Sequence, residues 1–98
     1  MDEGQLFRDP NLTLNGLAGR LGISSHNLSE IMNTRIKMNF FDFVNSYRVE
    51  QVKKDLNNPQ KDNLTLVAIA FDAGFNSKSS FNAIFKKHTG KTPSEFRK

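Results

Sequence analysis

The side chains best equipped for chemistry cluster in the last third of the chain. Ser77, Lys78, Ser79, Ser80 and Asn82 sit together, and Lys86 and Lys87 follow a turn later. They offer hydroxyls, an amide and ammonium groups, which are hydrogen-bond donors and cations rather than nucleophiles. Groups of this kind bind phosphate oxygens and read base edges, lysine on guanine and asparagine on adenine. Bond-making parts are missing. The chain has no Cys and two His, His26 and His88, neither with a partner at ligand or nucleophile–base spacing. Thiolate zinc sites and activated nucleophiles therefore lack components. Asp and Glu are scattered, and no Gly-rich phosphate loop follows a strand. No catalytic residue, metal ligand or cofactor is expected, and the chain does not read as an enzyme.

Charge points the same way. The 98 residues carry a formal net charge of +4. Residues 1–38 balance four basic against four acidic groups, and residues 39–63 do the same. The surplus lies in residues 64–98, where Lys78, Lys86, Lys87, Lys91, Arg97 and Lys98 face Asp72 and Glu95. A basic cluster on a small domain suits a polyanion. The length suits one domain. No apolar run approaches the ~20 residues of a membrane span, so no membrane contact is expected. The acidic, polar N-terminus is no signal peptide. A reducing, cytoplasmic setting is expected.

These side chains need helices to carry them. Strand-like alternation is absent and helical spacing dominates, so the chain reads as all-α. Residues 2–8 resemble the tail of a helix, closed by a turn at Asp9-Pro10-Asn11. Thr13 is placed to cap a helix over about 14–21, with Leu14, Leu17, Ala18 and Leu21 inward and Gly22 at its end. Ser24 or Ser25 caps the next helix, with Leu28, Ile31 and Met32 inward. A longer helix runs from Asn39 to about Leu56, with Phe40, Phe43, Val44, Tyr47 and Val52 near one face, and Asn57, Asn58 and Pro59 stop it. Thr65 caps a helix with Leu66, Ile69, Ala70 and Ala73 inward. Ser77 caps another, with Phe81, Ile84 and Phe85 inward. Thr92-Pro93-Ser94-Glu95 is a capping box that opens a final turn carrying Phe96.

One unit is used twice. Residues 52 positions apart agree at Leu12/Leu64, Thr13/Thr65, Leu14/Leu66, Ala18/Ala70, Gly22/Gly74 and Ser25/Ser77. One extra residue after Ser77 then aligns Leu28 with Phe81 and Ile31 with Ile84. Each copy places a small alanine where two helices would cross and a glycine in the turn, where positive φ costs it little. That is the outline of a helix-turn-helix, whose second helix can enter a major groove about 12 Å wide. The connecting helix would span roughly 27 Å at 1.5 Å per residue. Both units then reach one face of a duplex whose turns repeat every ~34 Å, if the duplex bends somewhat.

The stretch Ile69–Lys98 resembles the C-terminal signature of the AraC/XylS family of bacterial transcription regulators. The matching elements are Ile69-Ala70, Gly74-Phe75, Ser77, Phe81, Phe85-Lys86-Lys87, Gly90, Thr92-Pro93 and Phe96-Arg97. FVNSYRVEQVKKDL, with Asn45 and Arg48, resembles the family's linker helix. The resemblance implies two helix-turn-helix subdomains joined by a long linker helix, divided at about 1–38, 39–57 and 58–98. It implies sequence-specific binding of double-stranded DNA.

By position, Lys78, Ser79, Ser80 and Asn82 would face bases in the second unit, and His26, Asn27, Ser29 and Glu30 in the first. Ser25, Ser77, Lys86 and Lys87 would lie near phosphates. Arg48 is expected to tie the linker to a helix end. The departures are Glu30, where relatives often carry a basic residue, Val52, where they tend to have alanine, and Gly16 and Gly19, which weaken the first unit's leading helix. The second unit is therefore expected to anchor the domain.

The chain would be the C-terminal part of a longer regulator, monomeric alone and reaching RNA polymerase in the full-length protein. Two other readings stand beside this one. The first is a helical protein-interaction module. The second is the regulatory part of a DNA-repair methyltransferase, whose chemistry this cysteine-free stretch lacks.

Overall fold

Capping chemistry sets the boundaries of every long helix. The computed structural model describes residues 3–97. They form a 3-10 turn (Glu3–Arg8), then helices α1 (Leu14–Leu21), α2 (Ser25–Ile31), α3 (Phe40–Leu56), α4 (Leu66–Asp72), α5 (Lys78–Thr89) and α6 (Pro93–Arg97). Thr13, Ser24, Asn39, Thr65 and Ser77 each accept the N–H of the third residue on, as N-caps should. Thr92 and Glu95 exchange bonds: Glu95 N–H donates to the Thr92 hydroxyl at 3.2 Å, and Thr92 N–H to the Glu95 carboxylate at 2.9 Å. The N-terminal stretch, expected as a helix tail, is the tighter 3-10 form, and residue 2 lies outside the described residues.

Each unit closes its turn the same way. Ile23 N–H reaches the Ala18 carbonyl and Phe75 N–H the Ala70 carbonyl, both at 3.1 Å. Gly22 (φ 73°) and Gly74 (φ 110°) supply the positive φ. Ala18 and Ala70 are buried where the helices meet. The caps correct the register of the repeat. Ser24, not Ser25, is the N-cap matching Ser77, so the extra residue lies before Ser77, and Asn76 is the insertion. The new register continues further. α2 runs on as a π-helical turn, Met32–Ile36, and ends at Lys37 in the left-handed region (φ 61°). Its counterpart Gly90 (φ 80°) ends α5.

Two cores result. Leu17, Ala18, Leu28 and Met32 form the first, with Phe40 and Phe43 of α3 against it. Ile69, Ala70, Ala73, Phe75, Phe81 and Phe85 form the second, with Val49, Val52 and Leu56 of α3. The expectation of one apolar face on α3 is therefore wrong. Its apolar stripe changes sides midway, by roughly 180° at ~100° per residue, because successive halves serve different units. Two other inward expectations fail. Leu21 is 55% exposed and Ile31 40%. Both border an apolar groove of about 400 Å³ with Ile23, Ile36 and Phe43.

The N-terminal turn joins the halves. Leu6 packs on the first core. Phe7 is buried and stacks on Tyr47 of α3, ring centroids 6.0 Å apart. Arg48 donates to the Phe7 carbonyl at 2.7 Å, the Asp9 carbonyl at 2.9 Å and Asn45 Oδ1 at 3.2 Å. Burial lowers the Arg48 pKa, and nearby Asp9 partly offsets this. Arg8 bridges to Asp72 of α4 at 2.8 Å. A Cβ on Gly74 would lie 2.2 Å from the Phe7 carbonyl oxygen and 2.8 Å from Arg48 Nε.

Two outcomes follow from these contacts. Gly74→Ala meets both a positive φ and a backbone oxygen, and should cost more than ~2 kcal/mol. Gly22→Ala meets open space and should cost about 1 kcal/mol. Urea unfolding of the two variants measures the difference. The Glu95 carboxyl is held below its ordinary pKa, first by the Thr92 N–H and then by the Thr92 hydroxyl. Its contribution is complete above the usual glutamate range and fades as pH falls through the lowered value. Glu95→Gln should remove that part of the acid-side slope in thermal melts.

Candidate nucleic-acid interface

α5 is amphipathic with a clean division. Phe81 and Phe85 are fully buried, and Phe81 sits 5.3 Å from the Phe75 ring. That contact fixes which side of α5 faces away. Ser79, Ala83 and Lys86, at i, i+4 and i+7, run along the exposed side, flanked by Asn82, Ser80 and Lys87. Lys78 is exposed in the first turn. Ser77 is half-buried, and its hydroxyl accepts the Ser80 N–H at 3.1 Å, so its first role is the cap.

α2 presents the same geometry with other chemistry. Leu28 and Met32 anchor it. His26, Glu30 and Asn33 form the exposed row equivalent to Ser79, Ala83 and Lys86. His26 Nε2 lies 3.9 Å from a Glu30 carboxylate oxygen. Asn27 is exposed and Ser29 half-buried. The Ser25 hydroxyl is engaged with Asn15 Oδ1 of α1, so it braces the two helices of its own unit.

Ala83 and Asn33 escaped the sequence reading although each lies within an outward row. Alanine carries no polar group to attract notice. The corrected register would have found it opposite Glu30. Methyl groups such as alanine's contact the thymine methyl in a major groove.

The lysines have near neighbours. Lys87 Nζ lies 3.8 Å from Asp42 Oδ1 at the start of α3. Lys86 is close enough to Glu95 to help lower its pKa. Exposed pairs of this kind are worth about 0–1 kcal/mol, so a phosphate can displace either partner. Arg97 is committed elsewhere, donating to the Lys61 and Asp62 carbonyls. Among the described residues, no group of three His, Cys, Asp or Glu could hold a metal, and no helix is long and apolar enough to cross a membrane.

Two capped helix-turn-helix units with exposed second helices, joined through α3, define a DNA-binding domain of the helix-turn-helix class. Comparison with known proteins agrees. Residues 17–98 match the family described as "Helix-turn-helix domain". The chain belongs to that family, as an AraC-type DNA-binding domain of transcription regulators. It is 30% identical over 95 residues to a probable transcription factor, PqrA, of Proteus vulgaris, covering 97% of this chain and 75% of that protein. It is 33% identical over 93 residues to an uncharacterised HTH-type transcriptional regulator of Staphylococcus aureus, covering 95% of this chain but only 12% of that much longer protein.

Among solved structures it resembles the C-terminal domain of AraT, a response regulator from Geobacillus stearothermophilus. The TM-score is 0.82 at 25% identity, covering 97% of this chain and 78% of that one. The family and these relatives are transcription regulators.

Base reading by α5 would be separable from affinity. Lys78→Ala or Asn82→Ala should relax preference at one base position, by ~1–3 kcal/mol of discrimination. A panel of single-base operator variants measures it. A uniform loss across the panel would contradict base reading.

Proposed function

We propose that α2 and α5 are recognition helices that enter successive major-groove segments of one duplex. The chain would work as three parts, about 1–38, 39–57 and 58–98, with the middle helix as spacer. In the second unit Lys78, Ser79, Ser80 and Asn82 contact bases. In the first, His26, Asn27, Ser29 and Glu30 do so, and Glu30 can accept from cytosine N4. Ser77, Lys86 and Lys87 contact phosphates, and Ser25 does so less directly, given its bond to Asn15. The observation that carries this reading is the pair of exposed second helices, each N-capped by a serine, with exposed lysines on α5.

The domain serves as the C-terminal part of a longer bacterial regulator, in keeping with its likeness to the AraT C-terminal domain. It catalyses nothing, acts in the cytoplasm, is monomeric as an isolated domain and reaches RNA polymerase within the full-length protein. The second unit supplies most of the affinity. α5 carries Lys78, Lys86 and Lys87, whereas α2 carries no Lys or Arg.

Titration of a duplex at several salt concentrations tests the reading. Each phosphate contact contributes about −0.9 to the slope of log affinity against log salt. Lys86→Ala should weaken all duplexes alike and flatten the slope by about one. An unchanged slope would remove Lys86 from the interface. Affinity for duplex DNA that is absent at every salt would sink the whole proposal.

A further inference from the structure

Phe41 is the most exposed of the large apolar side chains described, at 74%. Among the described residues it belongs to neither core, and its ring partner is its neighbour Phe40, 5.8 Å away. Its position is specific. One shallow cavity of about 240 Å³ places it beside Ser29 and Asn33 of α2. A second, of about 210 Å³, places it beside Ser80 and Ile84 of α5. Phe41 thus stands between the two recognition helices. The Lys87 ammonium lies 3.8 Å from Asp42, the next residue in the chain after Phe41.

Helices seated in successive major-groove segments leave the minor groove, with its two sugar–phosphate walls, facing whatever lies between them. α3 has 17 residues, about 26 Å of helix, against ~34 Å between those segments. The shortfall favours a duplex curved toward the protein, which narrows that minor groove. A phenyl wedged between base pairs would open the groove and bend the duplex the other way. The narrowed groove offers the apolar edges of deoxyribose instead.

We propose that Phe41 packs against deoxyribose rings of the minor-groove wall between the two recognition helices, as an uncharged, sequence-independent contact to DNA. This rests on α2 and α5 being the recognition helices. A contact of this kind strengthens every duplex equally, releases no counterion and reads no base. Its signature therefore differs from that of Lys86 and from that of Asn82.

The test uses the intact chain and duplexes selected from random sequence, with affinity read by fluorescence anisotropy across a salt series. Phe41→Ala should weaken selected and random duplexes alike by about tenfold. The salt slope, the base preference and the melting temperature should stay as they were. Phe41→Leu should keep most of the affinity. Unchanged affinity in Phe41→Ala would overturn the proposal. So would an altered salt slope, a preference lost at one base pair, or a smaller duplex bend, which would mark a phosphate neighbour, a base reader or a wedge respectively. If the unsubstituted chain binds no duplex, the recognition-helix reading fails and the Phe41 contact falls with it.

Discussion

The Phe7 carbonyl oxygen is the point on which the two halves of this domain depend. It accepts the Arg48 Nε–H at 2.7 Å and leaves no room for a side chain at position 74. A single backbone group thereby brings the N-terminal turn, the middle helix and the second unit's turn together. Neighbouring contacts reinforce it: Leu6 on the first core, Phe7 on Tyr47, and Arg8 on Asp72. In the proposed complex two reading helices share one duplex, which requires their spacing to be held. A spacer helix alone sets a length, and this junction sets the orientation as well.

α3 makes the junction possible by packing differently along its length. Phe40 and Phe43 serve the first core, and Val49, Val52 and Leu56 the second. Between them Tyr47 and Arg48 meet the N-terminal turn. Its far end is fixed by charge: Asp55, buried, accepts from Lys61 Nζ and Gln51 Nε2, both at 3.0 Å. Arg97 in α6 closes the same loop by holding the Lys61 and Asp62 carbonyls. Arg48 and Arg97, which would otherwise suit phosphate, are engaged in structure, whereas Lys78, Lys86 and Lys87 stay exposed on α5.

Local chemistry was legible in the sequence, and long-range register was not. Most N-caps could be read, Ser24 only as one of two candidates, because Ser, Thr and Asn before an apolar period have one strong local use. Ala18, Ala70, Gly22 and Gly74 were readable from the repeat. The single-face reading of α3 failed because a helix shared by two cores has no single period. Leu21 and Ile31 failed for a related reason: their spacing is inward, but the first unit is too small to cover them. Lys37 concealed a left-handed helix end, since only glycine announces one. The close approach of Phe7 to Gly74 spans 67 positions of sequence, and no local pattern encodes it. At the interface, polar residues were identifiable by type, whereas Ala83, Asn33 and Phe41 became visible only through their placement.

The two units share a frame and differ in chemistry. The first presents His26, Glu30 and Asn33 where the second presents Ser79, Ala83 and Lys86. In the proposed complex Glu30 repels phosphate whereas the α5 lysines attract it, so the second unit contributes more to binding. Selection of bound sequences from random duplex DNA tests this arrangement most directly. The account predicts two short conserved blocks about one helical turn apart, the block under α5 more strongly enriched. Enrichment of a single block, or of two blocks at variable spacing, would contradict a rigid pair of reading helices.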